Sequence, residues 1–173
     1  WGDERCVPPD HPNSNYRMAR RALLDGVGIP ASNVHRIRGE LPPQEAAAAY
    51  RSELKAVLGQ TGRFDLILLG LGSDEHTASL FPGTRAVEEQ QQNVVAVYVE
   101  KLGTWRITLT LPIINKARHV LFLVRGDGKA EALARVQGGE QLPAGLVQPG
   151  EGTLTWIVDR DAAVALPTPG IAG

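Results

Sequence analysis

Two runs, FDLILL at residues 64–69 and HVLFLV at 119–124, constrain the fold of this chain more than any other feature. Both are apolar at nearly every position and lack the alternation of a strand with one wet face. Strands of that kind need cover on both sides, which α/β proteins supply with helices flanking a mainly parallel sheet. Helical patterns fall between the runs. Ser14 and Asn15 can cap a helix over 16–24, which GVGIP ends. Pro42 and Pro43 sit at the start of an alanine-rich stretch, 44–58, with no internal breaker. RGDGKAEALARV reads as a loop and a helix after the second run. VHRI, NVVAVYV, RITLTL and TLTWIV are further strand candidates. RITLTL alternates, with Arg106, Thr108 and Thr110 on one face and Ile107, Leu109 and Leu111 on the other. Short helices are predicted over 76–81 and in DRDAAVAL, and a surface loop over 139–152. The expectation is one α/β domain over 1–173.

In open α/β sheets, ligands bind beyond the carboxyl ends of the strands. Three polar loops fall at such places: Asp3-Glu4-Arg5, Gly72-Ser73-Asp74-Glu75-His76 and Gly126-Asp127-Gly128-Lys129. If the sheet is parallel, all three point to one edge. Gly70 and Gly72 do not make a dinucleotide fingerprint, because Glu75 stands where a third glycine belongs. A cap at Ser73 or Asp74 would put His76 in the first turn of a short helix, whose positive end favours neutral imidazole. Neutral imidazole is suited to taking a proton from water. Thr77 and Ser79 read as caps or ligand hydroxyls. Arg5 can pair with its neighbours or hold an anion. Arg106 is either exposed or buried with a partner. Lys129, after two glycines, resembles a phosphate cradle of free amides plus a point charge, or else is a solvated helix-start lysine. Asn15 is most simply a cap.

The totals narrow the classes. A net charge of −1 offers no footprint for nucleic acid or an anionic membrane, and no apolar run is long enough to span a bilayer. One cysteine, Cys6, permits no internal disulfide and fits a reducing compartment. The scattered histidines show no zinc spacing. WGDERCVPPDH reads as the end of a strand and the loop after it, so a segment preceding Trp1 is expected.

Together, WGDER, SNY, LILLGLGSDEHTASLFPGT, RITLTLPIINKARHVLFLVRGDGKAEAL and LTWIVDRDAA resemble the 6-phosphogluconolactonase family, from Trp1 to about Ala163. That resemblance implies a Rossmann-like sheet of the sugar-phosphate isomerase/lactonase type. It also implies a cytoplasmic enzyme that needs no cofactor and hydrolyses 6-phospho-D-glucono-1,5-lactone in the oxidative pentose phosphate pathway. His76 would activate water, Arg5 steady negative charge, and Asp3 orient the substrate or a site group. Lys129 and Arg106 would take the 6-phosphate, and Asn15, Gly72, Asp74, Thr77 and Ser79 would supply further substrate contacts. Two departures stand out. The family usually has Asp-Gly-His where this chain has Asp74-Glu75-His76, and its upstream glycine/serine-rich phosphate loop has no counterpart here. Upstream strands and that loop are therefore expected before Trp1. The alternatives are a sugar-phosphate isomerase/deaminase of the same superfamily and a non-catalytic sugar-phosphate-binding domain. The deaminases use a further glutamate where this chain has Phe81.

Overall fold

The computed structural model of the chain describes residues 1–167. In chain order its elements are β1 (Asp3–Arg5), α1 (Asn15–Ala19), α2 (Asp25–Val27), α3 (Pro43–Leu58), β2 (Leu66–Leu69), α4 (Arg85–Glu88), β3 (Val94–Val99), β4 (Thr104–Leu109), α5 (Leu111–Ile114), β5 (His119–Val124), α6 (Ala130–Gln137) and β6 (Thr153–Val158). A π-helical segment, Arg20–Leu24, joins α1 to α2, and Gly28 ends the run with φ 64°. α3 buries Ala46, Tyr50 and Leu54, positions four apart on one face. None of the described helices is long and apolar enough to cross a membrane.

The two continuous runs are neighbours in a parallel sheet ordered β2-β5-β6. The alternating run goes elsewhere. β3 and β4 pair antiparallel, and β1 takes the other edge of β4, giving a second sheet ordered β1-β4-β3. A single apolar core joins the two. It takes Ile67, Leu69, Val120 and Phe122 from the parallel sheet, Ile107 and Leu109 from the antiparallel one, and Leu133 and Val136 from α6. Phe122 stacks flat on Trp156 at 3.9 Å between centroids. The opposite face of the parallel sheet carries Leu66, Leu68, Leu123 and Ile157, each about half-exposed among the described residues.

Several local expectations are corrected. Asp3, Glu4 and Arg5 are not a loop after a strand; they are β1 itself, and it runs antiparallel to β4. VHRI at 34–37 pairs with no strand among the described residues; His35 Nδ1 bonds Glu53 on α3 (2.8 Å) and Ile37 plugs the core. Residues 76–81 are a tight turn closed by a Thr77–Leu80 bridge, not a helix. DRDAAVAL also forms turns, which Asp159 caps by accepting from the Ala162 amide (2.8 Å).

Candidate active site

β1 is short, but its alternation sorts three charged residues. Asp3 and Arg5 face a cleft of about 650 Å³, and Glu4 faces the interior. A buried carboxylate needs donors, and Glu4 has four. It accepts from the amides of Arg5 (2.7 Å), Asn15 (2.8 Å) and Tyr16 (2.8 Å) and from Ser14 Oγ (3.1 Å). The negative charge thereby sits on the free amides that start α1, where the helix dipole favours it. Glu4 thus fixes β1 against α1. Asn15 Nδ2 then donates to Asp3 Oδ1 (3.0 Å), and Ser79 Oγ donates to Asp3 Oδ2 (2.6 Å). Asn15 and Ser79 therefore orient Asp3 rather than meeting a ligand with those atoms.

Arg5 lies directly across the ladder from Arg106. Like charges so placed repel, and Arg106 is held below the usual arginine range, first by burial and then by Arg5. Nη1 of Arg5 donates to the Asn13 carbonyl (2.7 Å). The Nε atoms of both guanidiniums are buried without a hydrogen-bond partner among the described residues. Two adjacent arginines with unspent donors, both lining the cleft, make a site for an anion.

The turn after β2 supplies the titratable group. Gly72 donates its amide to the His76 carbonyl (2.8 Å), and the Glu75 amide donates to the Gly72 carbonyl (3.1 Å). A Cβ on Gly72 would collide with His76 Nδ1 and Asp74 Oδ1, so only glycine lets the chain fold back this tightly. Asp74 is hydrogen-bonded to His76 Nδ1 and ion-paired with Lys101. Phe81 stacks on the imidazole at 4.2 Å, and Lys101 Nζ lies 4.7 Å from the Phe81 ring centre. Burial pushes the His76 pKa below its ordinary value. Asp3 acts in the opposite sense, while Lys129, Arg106 and Arg5 add to the lowering. Burial and the neighbouring cations, not a helix end, thus favour the neutral imidazole. With Nδ1–H donated to Asp74, Nε2 carries the free lone pair.

Lys129 reaches the cleft from the turn after β5, but two of the amides expected to be free around it are occupied. The Gly126 amide is taken by Asp159 (3.0 and 3.1 Å) and the Gly128 amide by Asp127 (2.8 Å). Thr77 is buried outside the cleft lining, and its hydroxyl donates to the Gly70 carbonyl (2.9 Å). Asp3, Arg5, Asn15, Gly72, Asp74, His76, Ser79, Arg106 and Lys129 all line the one cleft. Sequence reasoning missed Lys101, which sits in the 3-10 turn Glu100–Leu102 with no motif around it. It also missed Phe81 as the wall behind the histidine, and Glu4.

The family model described as glucosamine-6-phosphate isomerases/6-phosphogluconolactonase matches residues 1–156. A 6-phosphogluconolactonase from Synechocystis is 45% identical over 171 residues, covering 94% of this chain and 70% of the relative. The human 6-phosphogluconolactonase is 44% identical over 173 residues, covering 96% and 67%. The solved structure of 6-phosphogluconolactonase from Trypanosoma cruzi superposes with a TM-score of 0.84 at 33% identity, over 97% of this chain and 72% of that one.

Proposed function

Because the chain belongs to the glucosamine-6-phosphate isomerase/6-phosphogluconolactonase family, we propose how its cleft performs lactone hydrolysis. The reaction is that of a 6-phosphogluconolactonase, conversion of 6-phospho-D-glucono-1,5-lactone to 6-phospho-D-gluconate in the pentose phosphate pathway. The observation that carries the mechanism is a neutral, half-buried histidine, oriented through Nδ1 by Asp74, in the same cleft as two facing guanidiniums whose Nε atoms have no partner among the described residues.

His76 Nε2 takes a proton from water as the water oxygen attacks the lactone carbonyl. The carbonyl electron pair moves onto oxygen, and the cations of the cleft lower the cost of that charge. Collapse of the tetrahedral adduct breaks the bond to the ring oxygen, which takes the proton back from His76 and leaves as a hydroxyl. The carboxylic acid then ionises. Arg5 and Arg106 share the phosphate end, with Lys129 beside them, so the sugar is anchored while its carbonyl is presented to the base. Asp74 keeps the imidazole in the tautomer that accepts at Nε2, and Lys101 balances the Asp74 charge. Phe81 supplies burial where a deaminase would carry its glutamate, which favours hydrolysis over deamination. A cytoplasmic setting is part of this reading, consistent with the single free thiol of Cys6.

The test is to offer the chain freshly made 6-phosphogluconolactone, unphosphorylated gluconolactone and glucosamine 6-phosphate. Acid release above the spontaneous rate is expected with the first, weaker release with the second, and no ammonia from the third. Ammonia release, or no acceleration with any lactone, would overturn the reading.

A further inference from the structure

Residue 75 closes the turn that presents His76, and it does so at φ 61°. Glycine adopts that left-handed conformation freely, and residues with a Cβ avoid it. Glutamate holds the position through three contacts. Its amide donates to the Gly72 carbonyl (3.1 Å), its carbonyl accepts from the Ala144 amide (3.3 Å), and its carboxylate receives Nη1 of Arg135 at 2.5 Å. Arg135 is fixed on α6 by Glu140, which occupies Nε (3.0 and 3.1 Å) and Nη2 (2.7 Å), leaving Nη1 for the turn. α6 follows directly on the 3-10 turn Asp127–Lys129. One ion pair therefore links the histidine's turn to the helix behind the Lys129 cation.

We propose that Glu75 and Arg135 are a matched positioning pair: Arg135 holds in place a left-handed turn that a residue with a side chain would otherwise tend to leave, and so keeps His76 against Asp74. Neither residue lines the cleft; both act through the backbone of residues 72–76. The proposal rests on the reading of His76 as the base. It has a conditional consequence. Arg135 matters to turnover only while residue 75 carries a side chain, because with glycine there the turn is allowed without help.

A double-mutant cycle tests this with the full chain, Arg135→Ala, Glu75→Gly and the two combined, and with Arg135→Lys beside them. Two quantities are read: kcat and KM on the phosphorylated lactone, and hydrogen exchange of the Gly72 amide, which donates to the His76 carbonyl (2.8 Å). Arg135→Ala should lower kcat about tenfold with KM within about twofold, and speed Gly72 exchange about tenfold. Arg135→Lys should restore part of both. The combined variant should match Glu75→Gly alone. An equal loss from Arg135→Ala in both backgrounds would mean that Arg135 acts through Glu140 or general stability, and would overturn the pairing. Unchanged Gly72 protection in Arg135→Ala would overturn it as well. If the unsubstituted chain hydrolyses no lactone while the exchange results hold, the assigned reaction fails and the pair stands.

Discussion

At the scale of single residues, the proposed mechanism depends on a histidine kept neutral by its surroundings. His76→Asn should fold normally and lose about 10²-fold or more of kcat, because a positioned base contributes roughly 10²–10⁴-fold. Steady-state kinetics with the phosphorylated lactone, corrected for spontaneous hydrolysis, checks this. The neighbouring charges make a second prediction. Lys129 lowers the proton affinity of His76, so Lys129→Met should raise the histidine's pKa. The acidic limb of the pH profile of kcat/KM, where rate is lost as the imidazole takes a proton, should then move to higher pH. An unmoved limb would separate Lys129 from the base. The placement of His76 in a polar loop beyond the apolar run 64–69 was legible in the sequence. Its environment was not. The lowering of its pKa comes from Phe81 burial and cations on three other elements, and chain order carries no trace of those distances.

At the scale of elements, β1 shows how little secondary structure a site needs when its other contacts are strong. Three residues form it, and Glu4 at their centre ties it to the start of α1 through three hydrogen bonds, from Ser14, Asn15 and Tyr16, with a fourth from the amide of Arg5 within the strand. Glu4→Ala would leave buried amides unpaired and should cost about 3 kcal/mol. Denaturant unfolding measures that loss. Turnover should fall too, because Asp3 and Arg5 move with the strand. Glu4 reads in sequence as one more surface charge, and only the pairing of β1 with β4 reveals which of three consecutive charged residues points inward. The parallel β2-β5-β6 sheet was legible because β2 and β5 fall in runs that are apolar at nearly every position. The helix expected at 76–81 failed because the Thr77 and Ser79 hydroxyls found other partners, the Gly70 carbonyl and Asp3. Side chains that compete in this way draw the backbone into turns.

At the scale of the whole molecule, charge is distributed unevenly. The chain carries a net charge of −1, yet the charged residues lining the cleft are Arg5, Lys101, Arg106 and Lys129 against Asp3 and Asp74. With His76 neutral, that is a local excess of two positive charges on a nearly neutral protein. A concave site of one sign concentrates the opposite sign before contact, and salt weakens the effect over a screening length of about 8 Å at physiological ionic strength. A phosphorylated lactone is a dianion near neutral pH, and plain gluconolactone is uncharged. Raising ionic strength from about 0.01 to about 0.3 M should therefore lower kcat/KM for the phosphorylated substrate several-fold and leave the plain lactone nearly unchanged. Arg106→Gln should flatten the dependence as well as lower the phosphorylated rate, since it removes one of the two facing guanidiniums. If both substrates respond alike to salt, the cleft's cations act on the reacting carbonyl and not on the phosphate. The anchoring role given to Arg5 and Arg106 would then pass to stabilisation of the oxyanion.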